Sequence, residues 1–154
     1  MPDSDLTSHH VATHRFVATL EPSDVEWLQG HATAQQYAAN EVIFEAGSAA
    51  DGFYLVRTGL VALRLGEDRP PGRIVQTVSE GAALGWSWLY PPYEWQFTAE
   101  ARSVVRLLRF PADQLRAEFV ENPSFGYRMV ARLAETMAER LHHARSQLLD
   151  LSHG

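Results

Sequence analysis

The spacing of hydrophobic and polar positions changes twice along the chain. Residues 5–20 carry apolar side chains at a loose helical spacing, and Ser23 with Glu26 predicts a capping box that opens a short second helix. From residue 37 to residue 110 the apolar positions form short runs between turn residues, as β-strands do. After Pro111 the spacing becomes helical again. The pattern therefore predicts helices, then a β-rich middle, then helices.

The β-rich middle contains short runs bounded by glycine-containing turns, which favours a compact barrel or sandwich. We predict strands at residues 41–45, 52–57, 60–65, 73–78 and 99–110. Residues 66–72 are predicted to form a polar hairpin loop, in which Pro70 and Pro71 forbid strand pairing.

The C-terminal part of the chain carries a heptad pattern. A short helix is predicted after Pro111, and Asn122 and Pro123 open a long helix in which apolar residues alternate at spacings of four and three. This seam consists of Val130, Ala134, Met137, Leu141, Ala144, Leu148 and Leu151. The stripe is narrow, as in a coiled coil, so it favours self-association over packing back onto the β-rich part.

Taken together, these elements predict one domain spanning residues 1–154, because 154 residues can bury a sizeable core without covalent help. The predicted parts are N-terminal helices (1–36), a β-roll (37–110), a short helix (111–121) and a long dimer helix (122–152).

Residues 80–101 are the most aromatic stretch of the chain and contain Trp86, Trp88 and Trp95, three of its four tryptophans. Large aromatic side chains gain the most free energy by burial. A cluster this dense therefore forms a core, lines a pocket or makes an interface.

Composition excludes several classes of function. The chain has no cysteine, which excludes disulfides, thiolate metal sites and a cysteine nucleophile. Its net charge is −6 and its basic residues are scattered, which argues against a nucleic-acid partner. No apolar run approaches a membrane span, and the N-terminus lacks the features of a signal peptide, so we expect a cytoplasmic protein without a membrane partner.

A metal-dependent enzyme on a β-barrel would need two or three histidines on its strands. None of the seven histidines lies between residues 41 and 110, which removes this class. His10 and His14 are four residues apart on a predicted helix, where a solvated helix face is the favoured interpretation. The serines lack a nucleophile motif, so we predict no catalytic and no metal-binding residues.

The chain from about Phe16 to Leu151 resembles the cyclic nucleotide-binding domain of the catabolite activator (Crp/Fnr-like) superfamily, and two segments carry the resemblance most strongly. Residues 41–63, EVIFEAGSAADGFYLVRTGLVAL, look like the family's strand–glycine–strand segment, and residues 122–141 are similar to its dimer helix. Gly81 and Gly85 match the turn between them. The resemblance implies a mainly β fold with flanking helices, namely a double-stranded β-helix (a jelly-roll-like β-roll) followed by a long dimerisation helix.

In this family, a phosphate-binding cassette follows the first of these glycines. A Glu directly after the second glycine contacts the ribose, and an Arg nine residues further neutralises the cyclic phosphate. This chain has Trp86 and Trp95 at those two positions, and Gln96 where a small hydroxyl residue often follows. The adenine-contacting hydroxyl pair of the dimer helix is replaced by Ala144 and Arg145.

The resemblance thus implies a degenerate cassette consisting of Leu84, Gly85, Trp86, Ser87, Trp88, Trp95 and Gln96. Burying a phosphate without its counter-charge is costly, so we predict that cyclic AMP binding is lost or badly impaired. No cofactor is predicted, and a cyclic nucleotide or another small ligand stays open.

Three interpretations follow from the resemblance, and none is enzymatic. The first is a stand-alone, homodimeric sensory module whose tryptophans line a slot for an uncharged ligand. The second is a ligand-free pseudo-receptor, in which the aromatics are core and the domain serves dimerisation and contact with a partner protein. The third is a cyclic nucleotide sensor with a rearranged phosphate site. DNA binding is not expected, because the chain ends where the family's helix-turn-helix domain would begin.

Overall fold

The computed structural model describes residues 2–66 and 72–153, and it begins with helices. Helix α1 spans Pro2–Thr13, a 3-10 helix spans Arg15–Thr19, and α2 spans Pro22–His31. The predicted capping box of Ser23 and Glu26 is wrong. Helix α2 begins earlier, with Pro22 in its first turn, and the backbone N–H of Glu21 donates to Asp24 Oδ2 at 3.1 Å.

Seven strands follow and form two antiparallel sheets. One sheet has the order β1-β7-β3 and the other the order β2-β6-β4-β5. The strands are β1 (Thr33–Tyr37), β2 (Val42–Phe44), β3 (Gly52–Thr58), β4 (Val61–Leu65), β5 (Ile74–Val78), β6 (Phe97–Ala101) and β7 (Val105–Pro111). Together with the helices at both ends, the two sheets confirm the predicted β-roll architecture.

Strand β1 was missed by the sequence pattern, because Thr33–Tyr37 lies mostly inside the part predicted to be helical. Its sequence is TAQQY, and it pairs with β7 along its whole length, from Thr33 opposite Arg109 to Tyr37 opposite Val105. None of its side chains is fully buried. A strand at the edge of a sheet without an apolar face carries no alternating hydrophobic signal.

The single strand predicted over residues 99–110 is wrong as well. The structure divides it into β6 and β7, which belong to different sheets and are separated by residues 102–104. The hydroxyl of Ser103 at this turn accepts a hydrogen bond from the N–H of Leu60 at 3.0 Å. Apolar residues continue across the turn, which hides it in the sequence. The predicted hairpin loop falls largely on residues 67–71, which lie outside the described residues.

The core lies between the two sheets and the helices that close the roll. Phe53 of β3 is fully buried at its centre, with ring centroids 5.0 Å from Trp88 and 5.7 Å from Phe110. Burial of side chains this large contributes about 1.5–3 kcal/mol each. The aromatic stretch therefore supplies part of the core that joins the sheets.

Helices α3 (Ala112–Glu121) and α4 (Pro123–His153) complete the chain. Side chains of Phe125, Met129 and Leu133 bury the first part of α4 against the body of the domain. Arg128 fastens it to α2, because its guanidinium donates to both carboxylate oxygens of Asp24 at 2.6 and 2.8 Å. Beyond Leu133 the described residues of α4 include none that is fully buried.

Within the described ranges, none of the helices combines the length and the apolar character that a bilayer crossing requires.

Candidate functional site

The predicted cassette lies along the middle of β3, where backbone hydrogen bonds hold it. The N–H of Val56 donates to the carbonyl of Ala82 at 2.8 Å, and the N–H of Leu84 donates to the carbonyl of Tyr54 at 3.0 Å. Gly81 has φ +89°, a left-handed conformation that glycine adopts without steric cost. The cassette backbone is therefore fixed relative to the interior of the roll.

Trp95 fills the space beside this backbone. Its indole is only 4% exposed and stacks on Phe44, with ring centroids 3.8 Å apart and an interplanar angle of 10°. The same indole lies over Gly85, where an added Cβ would be 3.0 Å from Trp95 Cζ3. The missing side chain of Gly85 thus makes room for the ring of Trp95.

Trp88 belongs to the core rather than to a slot. It is fully buried, its ring centroid is 6.2 Å from that of Phe119, and its Nε1 donates to the carbonyl of Gly85 at 3.0 Å. Leu84 and Ser87, its neighbours in the cassette, are also buried. The guanidinium of Arg116 in α3 donates a hydrogen bond to the carbonyl of Trp88 at 2.5 Å.

Trp86 faces α4 and is half-buried. The guanidinium of Arg140 lies 5.3 Å from the centroid of its ring, a cation–π contact, and also donates to the carbonyl of Ala83. Burial lowers the pKa of Arg140 to about 10. Sequence reasoning missed Arg140. The spacing of Met129, Leu133 and Arg140 places it on the body-facing side of α4, and that periodicity could have found it.

Gln96 lies at a cleft on the Trp95 side of the cassette. Its side-chain Nε2 donates to the carbonyl of Glu94 at 3.2 Å, and it lines a cleft of about 630 Å³ together with Trp95 and Thr98. That cleft also contains Arg64, which forms an ion pair of 3.4 Å with Glu100. The structure therefore brings together Gly85, Trp88 and Trp95, places Gln96 beside Trp95 in this cleft, and directs Trp86 toward α4.

The heptad seam of α4 is exposed along its entire length. Leu141 is 65% and Leu148 is 66% exposed, and Val130, Ala134, Met137, Ala144 and Leu151 are exposed as well. None of these seven side chains is buried by the described part of the chain, although Val130 and Met137 are only 43% and 39% exposed. Ala144 also lines a cleft with residues of β5, so the seam lies beside the body-facing side of α4.

His14 is not on a solvated helix face, contrary to the interpretation from sequence. It follows α1 and is buried, and its Nε2 donates to the carbonyl of Val56 at 2.7 Å while its Nδ1 accepts from the N–H of Phe16 at 3.1 Å. These partners require the neutral ring, and burial is the main cause that lowers the pKa of His14. Across residues 2–66 and 72–153, no three His, Cys, Asp or Glu side chains lie close enough to hold a metal ion.

Comparison with known proteins gives one family match. Residues 34–122 match the sequence profile of the cyclic nucleotide-binding domain. No curated protein matches the chain significantly in sequence.

Several solved structures share the fold over most of the chain. A putative cyclic nucleotide-binding protein from Geobacter metallireducens GS-15 is 25% identical, with a TM-score of 0.76 over 92% of this chain and 99% of that one. A cyclic nucleotide-binding domain from Methylobacillus flagellatus is 15% identical, with a TM-score of 0.76 over 96% and 83%. The Thermus thermophilus catabolite activator protein is 24% identical, with a TM-score of 0.64 over 90% and 63%.

Proposed function

Because the chain belongs to the cyclic nucleotide-binding domain family, we propose that it is a regulatory module of that family that has lost cyclic AMP binding at its cassette. In this proposal the domain acts as a homodimer joined through α4. The function is that of a pseudo-receptor, which keeps the receptor fold and uses it for association.

The observation that carries the proposal is the burial of Trp95. Its ring packs between Phe44 and Gly85, at the place where the family resemblance puts the arginine that neutralises the phosphate. An indole brings no positive charge, and a buried phosphate without a counter-charge is strongly disfavoured. A ligand at this place would have to displace a ring that is 96% covered (4% exposed) by its own fold.

The second family position supports the same conclusion. Trp86 replaces the glutamate that contacts the ribose, and its ring is engaged by Arg140 of α4. Arg140 reaches the cassette only at Ala83 and Trp86, so it does not supply the missing charge beside Gly85. The link between cassette and α4 therefore needs no ligand.

The exposed seam supports dimerisation. Leucines at heptad positions are costly to leave in water, and each contributes about 1.5–3 kcal/mol when a partner buries it. The stripe is narrow, and the described part of the chain leaves its leucines exposed. A second copy of α4 matches its spacing, because two identical heptad seams pack as knobs into holes.

The alternative of an uncharged ligand between the tryptophans receives less support. It requires Trp86, Trp88 and Trp95 to face one slot, with Ser87 and Gln96 as polar contacts. The three indoles instead have different neighbours, and the cleft that Gln96 lines includes Trp95 but neither Trp86 nor Trp88.

Calorimetric titration with cyclic AMP tests the proposal. We expect the unaltered protein to show no saturable binding up to about 1 mM, which corresponds to about −4.1 kcal/mol. A variant with Trp86→Glu and Trp95→Arg restores the two charged groups that the resemblance implies and removes the ring over Gly85. We expect it to bind cyclic AMP measurably.

Trp95→Ala is the matched control, because it opens the same space without adding the charge. It is expected to bind weakly or not at all. Tight saturable binding by the unaltered protein would contradict the proposal and would favour a rearranged phosphate site.

A further inference from the structure

Two adjoining clefts meet at the turn formed by residues 79–82, behind the cassette. One, of about 470 Å³, lies between the N-terminal helices and β3. The other, of about 540 Å³, lies between that turn, β5 and α4. Both are lined by Arg15, Glu80 and Gly81, so they are adjacent, and we call the pair the arginine trough.

Three arginines of the trough have no ionic partner among the described residues. Arg57 lines the first cleft, Arg140 lines the second, and Arg15 lies between them. None of the three forms a salt bridge with a described carboxylate, whereas Arg109 and Arg128 each do. The guanidinium of Arg15 packs directly over Gly81, where an added Cβ would be 2.7 Å from its Nη2.

Partial burial also affects two of these charges. Burial lowers the pKa of Arg140 to about 10. Burial, together with the nearby charge of Arg106, lowers the pKa of Arg57. Both groups stay cationic at neutral pH, so each holds a charge that would be stabilised by a bound anion. The buried hydroxyl of Thr58 adds a polar group without a hydrogen-bond partner among the described residues.

Two features of the lining restrict the shape of a ligand. Glu80 and Glu139 also line the trough and would repel a compact anion centred on them. The three unpaired arginines are distributed over two clefts. A ligand with separated anionic groups would contact arginines in both clefts and avoid the carboxylates. Guanidinium groups suit phosphate and carboxylate equally, since both accept paired N–H donors.

We propose that the arginine trough binds a small polyanion with at least two separated phosphate or carboxylate groups. No described residue that lines its two clefts belongs to the predicted cassette, although Arg140 also contacts Trp86. Ligand binding here requires neither the phosphate-binding arginine of the family nor a second copy of the chain.

Isothermal titration with tripolyphosphate and, separately, with citrate tests this site in buffer containing about 150 mM chloride, where weak surface attraction is largely screened. We expect one saturable site for at least one probe, and the better probe identifies the anionic group. Arg57→Gln and Arg140→Gln should each weaken binding at least about tenfold, the effect of one lost charge-assisted hydrogen bond.

Arg145→Gln is the matched control, because it makes the same charge change on α4 at a position that lines neither cleft. It should change affinity by less than about twofold. Absence of saturable binding with both probes overturns the site, and so does equal weakening by Arg145→Gln. If circular dichroism shows that Arg140→Gln does not fold, the response of Arg57→Gln decides alone. Trp95→Ala should leave this binding unchanged, so the result is independent of the cassette.

Discussion

The cassette and the second half of α4 both present large apolar side chains, and they differ in what covers them. In the cassette, the fold itself covers Trp88 and Trp95 with rings from β2, β3 and α3. On α4, Leu141 and Leu148 face outward without cover from the described chain. Large apolar side chains are therefore buried by the fold in the cassette and left exposed on the second half of α4, where a partner can cover them.

This difference in burial is what the proposed function rests on, because it concerns both the ligand cassette and the proposed dimer interface. A ligand pocket needs polar groups that remain free to bind the ligand. Here the interior is instead filled by stacked aromatic rings. An interface needs apolar area that the monomer does not bury, and α4 provides it. Burial thus distinguishes the two regions where hydrophobicity alone does not.

The largest effect is expected on association through the exposed seam of α4. Replacing Leu141 and Leu148 together by Glu removes four buried leucines per dimer, so association should weaken by about 6 kcal/mol or more. Sedimentation velocity should show a dimer for the unaltered protein and a monomer for the variant.

The control for this change is Leu149→Glu, which places the same charge beside the seam instead of within it. This variant should remain a dimer. A monomeric unaltered protein, or dissociation by Leu149→Glu alone, would refute an interface at the seam.

In the cassette, Trp95→Ala should lower the free energy of unfolding by about 3–5 kcal/mol, because it leaves a cavity between Phe44 and Gly85. Urea unfolding should be measured in the Leu141→Glu, Leu148→Glu background, where dissociation does not contribute.

Tyr90→Ala serves as comparison, since Tyr90 is an exposed aromatic of the same stretch. It should cost no more than about 0.5 kcal/mol. Equal losses at the two positions would mean that Trp95 is not part of a packed interior.

The smallest effect concerns the pH dependence of folding stability at His14, which bonds to Val56 of β3. The folded-state pKa of His14 is lowered below its unfolded value of 6.5, so the unfolded chain binds the extra proton first. Stability should therefore be fully present above about pH 6.5 and should fall as the pH decreases through that value. Nearby cations act in the same direction, because Arg15, Arg132 and Arg57 oppose protonation.

Urea unfolding of the monomeric background at pH 7.5 and pH 5.5 measures this loss. In His14→Gln the loss should be smaller, since Gln keeps a donor for the carbonyl of Val56 and does not titrate. An NMR titration of His14 with a pKa at or above 6.5 would rule out this explanation.

Part of the fold could be read from local patterns. The short apolar runs at 52–57 and 60–65 and the heptads of α4 are strong local signals, and the structure places strands and a helix there. Strand β1 and the division between β6 and β7 could not be read in this way. The first has no apolar face, and the second depends on which sheet each strand joins.

The candidate site shows the same limit. The sequence placed Trp86, Trp88 and Trp95 at or near cassette positions, and it could not assign them to core, slot or helix contact. Arg140 and the trough arginines were equally hidden, because Arg15, Arg57 and Arg140 are far apart along the chain.

By itself, the sequence determined the helical ends, the β-rich middle and the heptad seam, since these follow from short-range spacing, and its resemblance to the family implied the loss of the two charged anchors. Only the tertiary structure decided that Trp95 occupies the space over Gly85, that Arg140 engages Trp86, and that the leucines of the seam are exposed. Burial and the pairing of charges depend on which distant segments meet, and no local pattern encodes that.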